Sequence, residues 1–183
     1  MSGQAVAKKL QTYVDYLRTP EEERWELIEG ELLMTPSPIP RHQSVSSNIF
    51  LPLKLFVRKH HLGEVFYAPL DVHLDQYNCL QPDILYVSKK RLTIITEKNI
   101  KGAPDLVIEV VSDSSAYHDL VQKKRLYAKF GVREYWIVLP AEATIEVYIL
   151  KNRHFEKWKE FRKEDRLTSH ILEGFKLRVA EVF

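Results

Sequence analysis

Cysteine is nearly missing from this chain. Of its 183 residues only Cys79 carries a thiol, so no internal disulfide can form and a reducing, cytoplasmic setting is expected. Nothing around Cys79 marks an activated thiolate, which argues against a cysteine nucleophile. Long apolar runs are missing too: none approaches the ~20 residues that a membrane helix needs. The first residues, MSGQAVAKKL, lack the apolar core of a signal peptide. An excess of either charge is also absent. Lys and Arg number 27 against 25 Asp and Glu, a formal net charge of +2, so charge alone neither favours nor excludes nucleic acid. There is no internal repeat, no low-complexity tract and no interdomain linker. What remains, 45% apolar and 28% charged, is the composition of a globular chain. The length fits one domain over residues 1–183.

Periodicity gives the elements. Ala5 to Leu17 reads as a helix, with Leu10, Tyr13, Val14 and Leu17 on one stripe. WELIEGELLM reads as a hairpin turning near Gly30; Glu26 shares parity with Ile28, Leu32 and Met34 and so points with the apolar residues. Three prolines between Thr35 and His42 make a stiff connector. A second helix follows from His42 to Lys59, buried through Ile49, Leu53, Phe56 and Val57, and Pro52 is expected to kink or split it. EVFYAPL, DVHLD and PDILYV read as strands, and Ser88 to Gly102 as a basic connection with a short helical turn. DLVIEVVS is the central strand, Tyr117 to Phe130 a helix stopped by Gly131, and EYWIVL, TIEVYIL and HFEKWKEF further strands. The tail from Leu167 to Phe183 reads as short strands or irregular chain closing an edge. The order predicts a mixed α/β domain. A crossover runs from the strand at Asp105 through the helix to the strand at Tyr135.

PDLVIEVVSDSS poses the functional question. Leu106, Val107, Ile108, Val110 and Val111 are apolar, yet Glu109 stands among them. A buried carboxylate without a partner costs several kcal/mol, so a protein cation, a bound metal or exposure at the strand end must compensate it. Asp105 lies on the same face, but four strand residues separate the two Cα atoms by roughly 13 Å. Metal–oxygen bonds span only ~2.0–2.6 Å. A carboxylate partner for Glu109 is therefore expected from a neighbouring strand, and Asp83, in CLQPDILYV, is the best candidate. Asp105, beside Pro104 at a strand start, has a plainer reading as a turn or cap residue. Two carboxylates make a hard-oxygen site suited to Mg²⁺ or Mn²⁺. In HDLVQKKRLYAKF, Asp119, Lys123 and Tyr127 share a helical face, which favours Lys123 as a cation near that site. An ordinary ion pair of Lys123 with Glu109 would also neutralise the carboxylate.

Together these segments resemble one family. WELIEGELL and PRHQ, then PDILYV, GAPDLVIEVVSDSS and HDLVQKKRLYAKFGVREYW, are similar in kind and order to motifs of the Uma-two restriction-endonuclease family. The similarity spans Trp25 to Trp136 and weakens toward the end. That family is placed in the PD-(D/E)XK nuclease superfamily, so the resemblance implies a restriction endonuclease-like core, a mixed sheet flanked by helices. It implies Asp83 as the metal-binding Asp, Glu109 as the (D/E) residue, the Val110 carbonyl as a further ligand and Glu26 as the acidic residue from the N-terminal part. His42 also matches a family position and, with Asp105, is an additional candidate at the site. The superfamily lysine would stand at Val111; in this family its role is thought to move to the helix, which points to Lys123. Leu139 before Pro140 departs from the common Asp and bears on the turn.

The resemblance implies a Mg²⁺- or Mn²⁺-dependent nuclease acting on nucleic acid, DNA by family. Asp83 and Glu109 would hold the ion, Lys123 would position the water, and Glu26 would assist. A homodimer is expected because duplex cutters need two sites; no membrane partner is. The alternative is a nuclease-fold module that binds or assembles without cutting, for which Val111 is the supporting feature. A third reading is a metal-dependent hydrolase of smaller substrates. SKKR at Ser88 to Arg91 and the stretch Lys151 to Lys163, with Trp158 and Phe161, could track a phosphate backbone, but a solvated face is the better reading of the second.

Overall fold

The computed structural model describes residues 9–112 and 118–183, and of residues 118–120 the backbone only. In chain order the elements are α1 (Tyr13–Tyr16), β1 (Trp25–Ile28), β2 (Glu31–Met34), α2 (Pro40–Lys59), β3 (Gly63–Tyr67), β4 (Val72–Asp75), β5 (Asn78–Leu80) and β6 (Ile84–Ser88). A 3₁₀ turn (Lys89–Ile94) leads to β7 (Ile100–Lys101) and β8 (Leu106–Val110). A π-helical turn (His118–Lys123) runs into α3 (Lys124–Phe130). Then come β9 (Glu134–Leu139), β10 (Thr144–Lys151), β11 (His154–Phe161), β12 (Arg166–Thr168) and β13 (Lys176–Arg178).

Six strands form the main sheet in the order β11-β10-β9-β8-β6-β3. β8 is central. It runs parallel to β9, through the crossover by α3, and antiparallel to β6. Strand alternation divides its side chains. Leu106, Ile108 and Val110 enter the larger core with α2 (Val45, Ile49, Leu53, Val57) and the tail (Leu167, Phe175, Val182). Val107 enters a second core on the other face, with Leu126 and Tyr127 of α3 and Ile28 and Leu80. Glu109 has the parity of Val107, so it points toward α3. The second sheet, β2-β1-β5-β4-β7, presents β1 and its Glu26 to the same side.

The β1–β2 hairpin turns through Glu29 (φ 52°) and Gly30 (φ 78°), the paired left-handed residues of a two-residue turn. A Cβ on Gly30 would come within 2.9 Å of the Leu10 side chain. The two-residue turn also sets the register, Glu26 opposite Leu33 and Ile28 opposite Glu31. Glu26 therefore shares a face with Leu33, and Leu32 and Met34 lie on the other, contrary to the parity expected from counting along the sequence. Gly131 takes the left-handed conformation at the end of α3 (φ 90°), as the sequence indicated.

Other expectations need revision. The first helix is one turn, Tyr13–Tyr16; Leu10, Val14 and Leu17 are exposed, and residues 5–8 lie outside the described residues. Gln11 donates its N–H to Gly30, so the chain before α1 pairs with the hairpin instead of coiling. α2 runs unbroken through the half-buried Pro52. The tail strands pair only with each other and pack across the α2 face, so they close a face, not an edge. Tyr117 of the expected helix lies outside the described residues.

Asp105 braces the far end of β8. It is fully buried, and its Oδ2 accepts the Ser88 N–H at 2.8 Å. Its Oδ1 meets Arg91 at 3.3 Å and Arg133 at 3.5 Å. β6, β8 and the start of β9 are thereby held by one carboxylate. Asp105→Ala is expected to destabilise the fold by about 1–3 kcal/mol, because a buried N–H loses its acceptor. Asp105→Asn, which keeps an acceptor for Ser88, should lose less. Urea denaturation that ranks the two variants equally would show that charge, not the Ser88 bond, is what matters.

Candidate active site

β6 and β8 bring two carboxylates together. Ile84 is opposite Ile108 in the antiparallel pair, so Asp83, one residue before β6, and Glu109, one residue past Ile108, are neighbours across the ladder. Asp83 Oδ2 accepts the Val110 N–H at 2.8 Å, which fixes the aspartate against the end of β8. His42, in the first turn of α2, places Nε2 3.2 Å from the same oxygen.

Lys123 answers the question that Glu109 raised. Its ammonium lies 3.3 Å from Glu109 Oε1 and 3.0 Å from Glu26 Oε1, and all three residues are 5% exposed or less. Glu26 Oε1 also accepts the Gln81 N–H at 2.7 Å. Tyr127, one helical turn after Lys123, donates its hydroxyl to Glu109 Oε1 at 2.8 Å. Burial, together with the charges of Glu109 and Glu26, holds the Tyr127 phenol well above its ordinary pKa, so it remains a donor. The lysine ends the π-helical turn that runs into α3, a local widening of the helix often found at functional sites. Val111, where a strand lysine would have stood, packs instead against the α3-side core.

These groups line a cavity of about 400 Å³. Glu26, Asp83, Glu109 and Lys123 lie within it, with Gln81, Ser112 and Arg24. Leu33, Met34, Pro36, Pro38 and Ile39 form another wall. Of the candidates from sequence, Glu26, His42, Asp83, Glu109, Val110 and Lys123 converge here. Asp105 does not: it sits at the opposite end of β8, bound to Ser88 and its two arginines. The Asp119 side chain lies outside the described residues. Cys79 is buried, and desolvation pushes its thiol pKa up, as expected of an inert cysteine.

Sequence reasoning missed Arg24 and Gln81. A signal existed for both: each stands two residues before a named carboxylate, Glu26 or Asp83, and extended chain puts i and i−2 on one face. Arg24 donates its Nε–H to the Gln81 side chain at 3.3 Å. Among the described residues no carboxylate lies within ion-pair distance of Arg24.

A mixed sheet with two carboxylates at the ends of adjacent strands, served by a lysine from the crossover helix, defines a protein with the restriction-endonuclease-like fold. Family comparison agrees: the Uma2 family, described as "Putative restriction endonuclease", matches residues 10–180, and the chain belongs to that family. Among solved structures it is similar to the crystal structure of a "putative nuclease belonging to DUF820" from Anabaena variabilis. The TM-score is 0.78 at 22% identity, over 94% of this chain and 97% of that one, a likeness that speaks to the fold. No curated protein shows significant similarity to the chain.

The buried ammonium is the electrostatic keystone of the cluster. Lys123→Met should destabilise the protein by about 3–5 kcal/mol, because two buried carboxylates would lose their counter-charge. Adding Glu26→Gln should restore part of the loss. Denaturation of the single and double variants checks this; an unaltered single variant would mean that water already solvates the carboxylates.

Proposed function

We propose that the protein is a nuclease that hydrolyses phosphodiester bonds, in DNA by family, with a divalent cation held by Asp83 and Glu109. The observation that carries this reading is their placement side by side at the ends of β6 and β8, with Lys123 on Glu109.

The donor set fits Mg²⁺ or Mn²⁺. Among the described residues no three His, Cys, Asp or Glu side chains converge into a ready metal cage. Mg²⁺ does not need one: it is commonly held by one or two carboxylates and completes its shell with water and substrate phosphate. Charge points the same way. The cavity lining carries three carboxylates (Glu26, Asp83, Glu109) against Arg24 and Lys123, an excess that would repel a phosphodiester unless a further cation entered. Asp83 and Glu109 would hold the ion, and the Val110 carbonyl at the end of β8 is a candidate third ligand. When bound, the ion supplies Lewis-acid stabilisation of charge on the phosphoryl oxygens.

The chain's own groups have distinct tasks. Lys123 is the donor beside the carboxylates, suited to hold the attacking water or to stabilise charge developing on the phosphoryl group. Glu26 is a positioning residue, fixing the ammonium from the side opposite Glu109. Tyr127 holds the Glu109 carboxylate. His42 steadies Asp83 and brings the first turn of α2 to the cavity.

One observation favours the alternative of a non-cutting module: Lys123 already neutralises Glu109 without any metal. Titration calorimetry of Mn²⁺ and Mg²⁺ into wild type, Asp83→Ala and Glu109→Ala, with cleavage of single-stranded DNA by the same samples, separates the two. Binding in wild type, its loss in both variants and a fall in cleavage of roughly 10²-fold or more are expected. A wild type that binds neither ion would overturn the metal-nuclease reading. Binding without cleavage of any nucleic acid would support the non-cutting module.

A further inference from the structure

The cavity has two unlike walls. One carries the buried carboxylates, Lys123 and Arg24. The other is apolar: Leu33 and Met34 from β2, Pro36 and Pro38 from the connector, and Ile39 at the start of α2. Met34 and Ile39 are 62% and 61% exposed, an unusual degree for large apolar side chains at the mouth of a charged site. Connector prolines have few torsions to lose, so this wall is stiff before anything binds.

Depth limits what can reach the carboxylates. Glu109 and Glu26 are 2% and 5% exposed, so a reacting phosphate must enter the cavity to meet them. At about 400 Å³ the space is near the lower end of the ~300–1,000 Å³ typical of small-ligand sites. It has room for a nucleoside-sized group.

Arg24 supplies the remaining contact. It lines the cavity, and the Gln81 side chain holds its Nε. Gln81 is itself braced, donating to Asp71 at 3.0 Å and to the Tyr16 hydroxyl at 3.3 Å. The guanidinium is thus held in place while no carboxylate among the described residues consumes its charge. A planar cation so fixed suits a phosphate oxygen.

Resting on the nuclease reading for its chemistry but not for its binding, we propose that this site takes an unpaired nucleotide of a nucleic-acid strand. Its base lies against the wall of Pro36, Pro38 and Ile39, and Arg24 holds a backbone phosphate. Single strands, frayed ends or extruded nucleotides are therefore its substrates, and an intact duplex is not. Base contact with an apolar face tolerates any sequence, so recognition is of single-strandedness, not of a base code.

Fluorescence anisotropy tests this with a labelled DNA strand of roughly 12 nucleotides, within the usual single-strand site sizes. Affinities are compared for that strand and its duplex, each in EDTA and in Ca²⁺. Wild type should prefer the single strand by about tenfold or more in at least one condition. Ile39→Asp and Met34→Asp, both at exposed positions, should each weaken single-strand binding severalfold while thermal melting stays unchanged. Arg24→Gln should lower the magnitude of the salt slope by about 0.7, the loss of one single-strand phosphate contact. Equal or tighter duplex binding, binding to neither, or single-strand affinity untouched by all three variants would overturn the inference. If the preference and variant effects hold but Mg²⁺ supports no cleavage, the catalytic reading fails and this one stands.

Discussion

The arrangement depends on one electrostatic requirement: two glutamates buried from water must share a cation. Glu109 occupies the central strand and Glu26 a strand of the other sheet, and a charge buried in either place is costly without a partner. The Lys123 ammonium between them ties the two sheets and α3 to a single point. The surrounding structure serves that point. Tyr127 steadies one glutamate, the Gln81 N–H the other, and Gly131 ends α3 so that β9 can return beside β8.

β8 shows how the same side chain acquires different duties from its surroundings. Asp105 at one end is sealed from water and saturated by a backbone N–H and two arginines, so it joins strands and nothing else. Beyond the other end, Asp83 is partly exposed, and its two contacts fall on Oδ2 alone. A carboxylate with one oxygen fixed is oriented and still able to take a ligand. Sheet position thus separates a saturated carboxylate from an accessible one more clearly than residue type does.

Much of this was legible in the sequence, for reasons that can be located. Glu109 among five apolar neighbours announced itself because a buried charge needs a compensating partner. The reach of a metal–oxygen bond then pointed away from Asp105 and toward a neighbouring strand, where Asp83 lies. Helical spacing linked Lys123 to Tyr127, and both reach Glu109. The misses came from long-range pairing, which leaves no local trace. Leu10, Val14 and Leu17 carried a helical stripe, but Gln11 is committed to the hairpin through Gly30. The face of Leu32 and Met34 was set by a turn of two residues, which counting along the chain cannot register. Pro52 passed for a helix breaker, yet α2 continues through it.

Placing the lysine on the crossover helix, with Val111 in the strand, has a consequence for the order of assembly. Asp83 and Glu109 lie earlier in the chain than Lys123, and the strand against which α3's crossover closes, β9, comes later still. During synthesis the carboxylates therefore leave the ribosome first and wait for their counter-ion. The charge cluster is complete only once β9 has docked beside β8. A chain interrupted before residue 134 carries every acidic group of the site but lacks the strand that holds the lysine's helix in place. The position of one cation thus makes the finished cluster a report that the crossover has folded.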